Sequence, residues 1–184
     1  MSVGYGDRTG QTEEEVIRRL AIMKKVILIV TFAILLMMGG LVSAQNEVNA
    51  SWVKKSERKL HLLTNWEITH TFAISLGQNP IGHKQKSGDS RTPEGLYYID
   101  RRNPNSRFFR SLGISFPNDT DSFLARLRGE DPGGDIMIHG EPNDPIKRKN
   151  LAADWTKGCI AMKDEDMRVV WQLVKEGTPI LIMR

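Results

Sequence analysis

The chain has 184 residues and a formal net charge of +4, from 26 Lys/Arg against 22 Asp/Glu. The first 44 residues hold five of those bases and four of the acids, leaving 21 against 18 for the remainder. That near balance, with no arginine-rich stripe interleaved with aromatics, excludes a nucleic-acid binder. One cysteine excludes an internal disulfide.

The N-terminal part addresses the chain. Met23-Lys24-Lys25 precedes an apolar run over residues 26–38, then Gly39-Gly40 and Leu41-Val42-Ser43-Ala44. A positive n-region, an apolar h-region and small residues in that order are the layout of a secretory signal peptide, with cleavage expected before Gln45. The rival reading is an uncleaved anchor, because residues 26–42 approach the ~20 apolar residues of a spanning helix. Arg18, Arg19, Lys24 and Lys25 keep the N-terminus cytoplasmic, so the following domain is exported in either case, to a periplasm or cell wall. Residues 1–22 are polar, contain Glu13-Glu14-Glu15, and are unlike an n-region. They are expected to be an over-extended start, with translation beginning at Met23. Residues 45–57 are expected to be a linker, and 58–184 a single catalytic domain.

That domain reads as short strands punctuated by turns. Residues 59–63 and 68–76 flank Thr64-Asn65-Trp66-Glu67, with alternation at Phe72, Ile74 and Leu76, as in a hairpin with one buried face. Further strands are expected at 96–100, 135–139 and 179–183. Loops rich in Gly, Pro, Asn and Asp span 77–95, 101–105 and 141–145. Lys147-Arg148-Lys149 reads as a solvated basic run. Helices are expected at 121–128, with Phe123, Leu124 and Leu127 on one side, and at 164–176, with Met167, Val170, Trp171 and Val174 on one face. Asp164, Glu165 and Asp166 favour the start of the second helix and Gly177 its end. The fold class is therefore mainly β, with peripheral helices and no regular βαβ winding.

Cys159 lies in Thr156-Lys157-Gly158-Cys159-Ile160-Ala161-Met162. A lone thiol is either a small core hydrophobe or chemistry. Export to an oxidising compartment usually brings disulfides, so an unpaired thiol there points to reactivity. His139 ends an apolar strand and is followed by Gly140, which places a base at a rigid strand end that opens onto a loop. Thiol, imidazole and free backbone amides are the parts of acyl transfer. His61, His70 and His83 show no ligand spacing, so no metal is expected. Residues 88–95 open a strand rather than a helix and are no phosphate loop.

The order Ser75-Leu76-Gly77, Gly88-Asp89-x-Arg91-Thr92-Pro93-x-Gly95-x-Tyr97, His139-Gly140 and Thr156-x-Gly158-Cys159-Ile160 resembles the YkuD-type L,D-transpeptidase family, over about residues 58–183. The resemblance implies a YkuD-like β-sandwich or barrel and peptidoglycan stem peptides as substrate. It implies Cys159 as nucleophile, His139 as general base, and the backbone amides of Lys157, Gly158 and Cys159 as oxyanion hole. Gly140 and Thr156 support them, and the Gly-Asp-x-Arg-Thr-Pro-x-Gly stretch is structural. No cofactor is implied, and a monomer is expected. Transfer to an amine makes a crosslink or attaches a protein to the wall. Transfer to water makes a carboxypeptidase or amidase, and a non-catalytic wall-binding module is the reading from another class. Many members carry His at the position of Lys157 and Arg at that of Ala161. Here His139 is expected to act alone or with Lys157 lowering the thiol pKa, and Arg126, Arg148 or Lys149 to meet a substrate carboxylate.

Overall fold

The computed structural model describes residues 13–39 and 47–184, and the chain divides into two units at Asn46/Glu47. The first contains one helix, α1 (Glu13–Gly39), which takes in the apolar run from residue 26 to residue 38. No helix among the described residues is long and apolar enough to cross a membrane. The alternative start at Met1 and the cleavage point before Gln45 lie outside the described residues.

The second unit is built on strands β1 (Ala50–Lys54), β2 (Lys59–Thr64), β3 (Glu67–Ala73), β4 (Gly95–Asn103), β5 (Ser111–Ile114), β6 (Met137–His139), β7 (Ile160–Ala161) and β8 (Pro179–Met183). Helices α2 (Asp119–Leu127), α3 (Pro145–Lys149) and α4 (Asp164–Leu173) are inserted between them. The strands form one sheet in the order β3-β2-β1-β8-β4-β5-β6-β7. Beyond β3, Ser75 exchanges backbone hydrogen bonds with Ala161 of β7, at 2.8 and 2.9 Å. The chain that leaves one edge strand thus reaches the opposite edge, and the sheet curls closed.

Local sequence explains the expected elements. Asn65 and Trp66 both take positive φ, 52° and 68°, which is the type I′ turn that suits a tight hairpin between β2 and β3. Inward positions alternate along the central strands: Val53, Leu60, Leu62, Tyr97, Ile99, Ile180 and Ile182 are all buried. Helix α4 turns Met167 and Val170 into the same core, and Val174 follows them.

Two expectations change. The segment taken as a linker contains β1, which lies between β2 and β8, so the folded unit starts before residue 58. A five-residue strand with an alternating pattern is too short to stand out from a polar linker. In α2, the side carrying Phe123, Leu124 and Leu127 faces outward. That helix is fastened instead by buried Ala125 and by Asp121, which closes a capping box with Asn118.

Candidate active site

Strands β6 and β7 run parallel, with Ile138 opposite Ile160 and His139 opposite Ala161. Residues in register share a face of the sheet, and so do residues two apart along a strand. Carried one residue back from β7, that register puts Cys159 on the face of His139, as its diagonal neighbour. With strands about 4.8 Å apart and a rise of about 3.3 Å per residue, the Cα atoms of such a pair stand roughly 8 Å apart. Two residues 20 positions apart are brought together by the shortest strands of the sheet.

The His139 ring is 4% exposed. It packs against Phe108 at 4.6 Å between ring centroids and against Trp155 at 5.5 Å, nearly edge-on to the latter at 68°. Its Nδ1 lies 2.7 Å from the Gly140 carbonyl oxygen. A carbonyl only accepts, so the ring carries its proton on Nδ1 and presents the Nε2 lone pair. Burial holds the imidazole pKa below its usual 6.5, against an opposing pull from the Gly140 hydrogen bond. The ring is neutral at physiological pH and ready to take a proton.

Cys159 is half-buried, and its thiol donates weakly to the Asp135 carbonyl at 3.5 Å. Burial pushes the thiol pKa up; the Met137 amide opposes this, Asp135 adds to it, and Lys84 and Arg101 oppose it. Lys157 is exposed and is not among these charges, so the cations that favour the thiolate are Lys84 and Arg101 rather than the expected Lys157. The balance favours a neutral thiol.

The turn before the thiol is pinned by Thr156. Its hydroxyl donates to the Cys159 carbonyl at 2.7 Å and accepts from the Gly158 amide at 3.1 Å. The Gly158 amide is therefore spent, a correction to its expected place in the oxyanion hole. Among the described residues, the Lys157 and Cys159 amides make no hydrogen bond and remain available. Gly158 has φ +131°, and a Cβ there would stand 2.7 Å from the Arg91 carbonyl oxygen. Only glycine fits this approach.

The opposing wall is the 77–95 loop. Asp89 accepts from Lys84 Nζ and from the amides of Gln85, Lys86 and Arg91. Burial alone would raise its pKa, but these donors pull it down to about 2. Thr92 Oγ1 accepts from the Gly77 amide, and Lys55 Nζ reaches from beneath to the carbonyls of Gly82 and Thr92 and to Glu94. The Gly-Asp-x-Arg-Thr-Pro stretch thus folds the loop and bears no reacting group. Buried Lys55 escaped the sequence reading because it sat in the supposed linker. The remaining three histidines are engaged locally: His61 bonds Thr71, His70 bonds Thr69, and His83 accepts from the Glu94 amide.

The family model of the YkuD L,D-transpeptidase catalytic domain matches residues 49–182. The chain belongs to this family. YafK of Escherichia coli K12, a candidate L,D-transpeptidase by name, is 30% identical over 126 residues, 65% of this chain and 44% of YafK. The chain therefore spans less than half the length of the curated relatives it matches. Among solved structures, the helical cell shape determining protein Pgp2 of Campylobacter jejuni (K307A mutant) superposes with TM-score 0.59 at 24% identity, over 76% of this chain and 48% of Pgp2. An L,D-transpeptidase of Xylanimonas cellulosilytica (residues 123–326) gives TM-score 0.50 at 13% identity, over 76% and 62%. At these identities the likeness shows a shared fold, the curled YkuD sheet.

Against the YkuD pattern, Ala161 stands where many members have Arg, and its register partner is His139. Of the cations expected to compensate, Arg148 is committed elsewhere: it pairs with Asp164 at 2.7 Å and donates to the Pro142 carbonyl. Asp164 also accepts from the Glu141 amide, and a Cβ on Gly140 would stand 2.5 Å from its Oδ1. Gly140 is thus required for close approach beside the histidine. Arg126 and Lys149 are exposed. Sequence reasoning missed Phe108 and Trp155, which enclose His139. Trp155 stands one residue before the Thr-x-Gly-Cys run, the only local signal for either.

Proposed function

We propose that this domain is a cysteine acyltransferase acting on peptidoglycan stem peptides, with Cys159 as nucleophile and His139 as general base. The observation that carries the reading is the diagonal placement of Cys159 and His139, with the imidazole tautomer fixed by the Gly140 carbonyl. Nε2 takes the thiol proton as Sγ bonds the peptide carbonyl carbon, and the oxygen gains charge facing the Lys157 and Cys159 amides. The tetrahedral intermediate collapses as the C–N bond breaks. The imidazolium returns its proton to the leaving amine, and a thioester remains on Cys159. An amine acceptor, deprotonated by His139, attacks the thioester and frees the thiol, giving a crosslink or a wall-attached protein. Water in the acceptor's place gives a carboxypeptidase or amidase instead. Residues 23–44 are read as the segment that exports this domain, because the YkuD family generally acts outside the cytoplasmic membrane.

The test is incubation of the protein with a carbapenem, followed by intact-mass analysis. The expected result is one adduct on the wild type, none on Cys159→Ser, and formation slowed about 10²–10⁴-fold by His139→Ala, the usual worth of a general base. A wild type without adduct would leave a binding module. Product analysis on purified muropeptides then tells crosslinked from trimmed stems.

A further inference from the structure

Phe108 packs at a tilt against the His139 ring and is at the same time one wall of a groove of about 340 Å³. Arg107 and Lys147 line this groove, with Asp144 opposite them. The Arg107 guanidinium makes no ion pair or hydrogen bond among the described residues. Lys147 lies 4.0 Å from Asp144, whose Oδ1 also accepts from the Ile146 amide. The groove therefore carries one uncompensated positive charge, and Arg107 is its source.

The backbone around that free side chain is tightly held. Asn143 donates from its own amide to the Arg107 carbonyl at 3.0 Å and from Nδ2 to the Ser106 carbonyl at 3.0 Å. Its Oδ1 accepts from the Phe109 amide at 2.9 Å, and the Gly140 amide donates to the Phe108 carbonyl at 3.0 Å. Those bonds tie the Arg107 segment to the residue that follows His139. The Arg107 side chain is exposed and its backbone already ordered, so meeting an anion there costs the ordering of the side chain alone. The cavity on the other flank, lined by Trp155 and Ala161, holds one cation, Lys163, and one carboxylate, Glu141, so its charges offset.

On the acyl-transfer reading above, we propose that Arg107 binds a carboxylate of the stem peptide. A planar guanidinium matches a carboxylate with two parallel hydrogen bonds, and Lys147 adds a second positive charge behind it. The carboxylate is either the terminal one of the stem or a side-chain one along it, and the two are separable by experiment.

The full chain carrying Cys159→Ala is titrated calorimetrically with a synthetic tetrapeptide stem, which measures binding without turnover. Three ligands are compared: the free acid, the terminal carboxamide and the side-chain carboxamide. Adding Arg107→Ala is expected to weaken the free acid roughly ten- to a hundredfold, as for a lost charge-assisted hydrogen bond. Arg107→Lys restores part of the loss, because the charge returns without the fork. The carboxamide that removes the recognised group binds weakly and loses nothing further on Arg107→Ala, which identifies the carboxylate. Equal affinity of the free acid with and without Arg107, an equal loss for all three ligands, or no binding at all overturns the proposal. Adduct formation on Cys159 tests the acyl-transfer reading separately, so either can fail alone.

Discussion

Cys159 has its thiol held above its ordinary pKa, and His139 has its imidazole held below its own. Both shifts have one main cause, removal from water, and both disfavour the thiolate–imidazolium pair. The pH dependence follows. Protonated His139 accepts nothing, so the rate of carbapenem acylation rises as pH climbs through its lowered pKa, and the midpoint is expected below 6.5. Iodoacetamide alkylation of Cys159, which follows the thiolate, is expected to have its midpoint above the usual thiol value of 9.0. An acylation midpoint above 6.5, or a thiol already ionised at neutral pH, would contradict this account. Stability has the same sign: an unfolded chain protonates His139 first, so this residue's burial stabilises the fold less as pH falls below 6.5. Residue types alone pointed to Cys159 and His139. Their sequence separation hid the aromatic enclosure, because Phe108 arrives from a loop whose composition reads only as a turn.

The loop of residues 77–95 and the turn of 156–158 work as one device. Gly77 and Gly158 let their backbones approach where no side chain fits: a Cβ on Gly77 would stand 2.1 Å from the Ser90 carbonyl oxygen. Gly158→Ala is expected to destabilise the domain by about 1–3 kcal/mol through backbone strain and to abolish adduct formation on Cys159. Thermal melting and intact mass measure the two effects, and an unshifted melt with full labelling would refute the packing argument. Asp89 provides a second handle. With its pKa lowered from 3.8 to about 2, it contributes stability that is complete above pH 3.8 and lost as pH falls toward 2. Asp89→Asn is expected to cost on the order of 2 kcal/mol at neutral pH and to flatten that acid limb in denaturant titrations. An unchanged acid limb in the variant would assign it to other carboxylates. The motif showed that this loop matters, but the donors to Asp89 became visible only once the chain was folded.

Across the whole molecule, the sheet rather than a cleft between domains builds the site. β1 joins the hairpin of β2 and β3 to β8, and through it to β6, which carries His139, and β7, which Cys159 precedes. A chain beginning at Glu47 is expected to melt cooperatively with the same strand content. One beginning at Lys55 lacks β1, exposes the buried edges of β2 and β8, and is expected to show no cooperative transition. Circular dichroism on both chains decides this, and a cooperative melt without β1 would remove the strand from the core architecture.

The sequence alone determined what is local or periodic. The Asn65-Trp66 hairpin turn, the 179–183 strand and the start of α4 at Asp164 follow from patterns within a few residues. Cys159 and His139 stand out as candidates for the same reason, because few side chains can supply a nucleophile and a base for acyl transfer. Tertiary structure decided the rest, since those properties belong to pairs distant in the chain. The parallel register of two very short strands sets Cys159 beside His139, and Thr156 withdraws the Gly158 amide. Arg148 is taken by Asp164, leaving Arg107 free in a groove beside the histidine. Partner choice among charges depends on distance and burial, and neither is encoded in the spacing of residues along a chain.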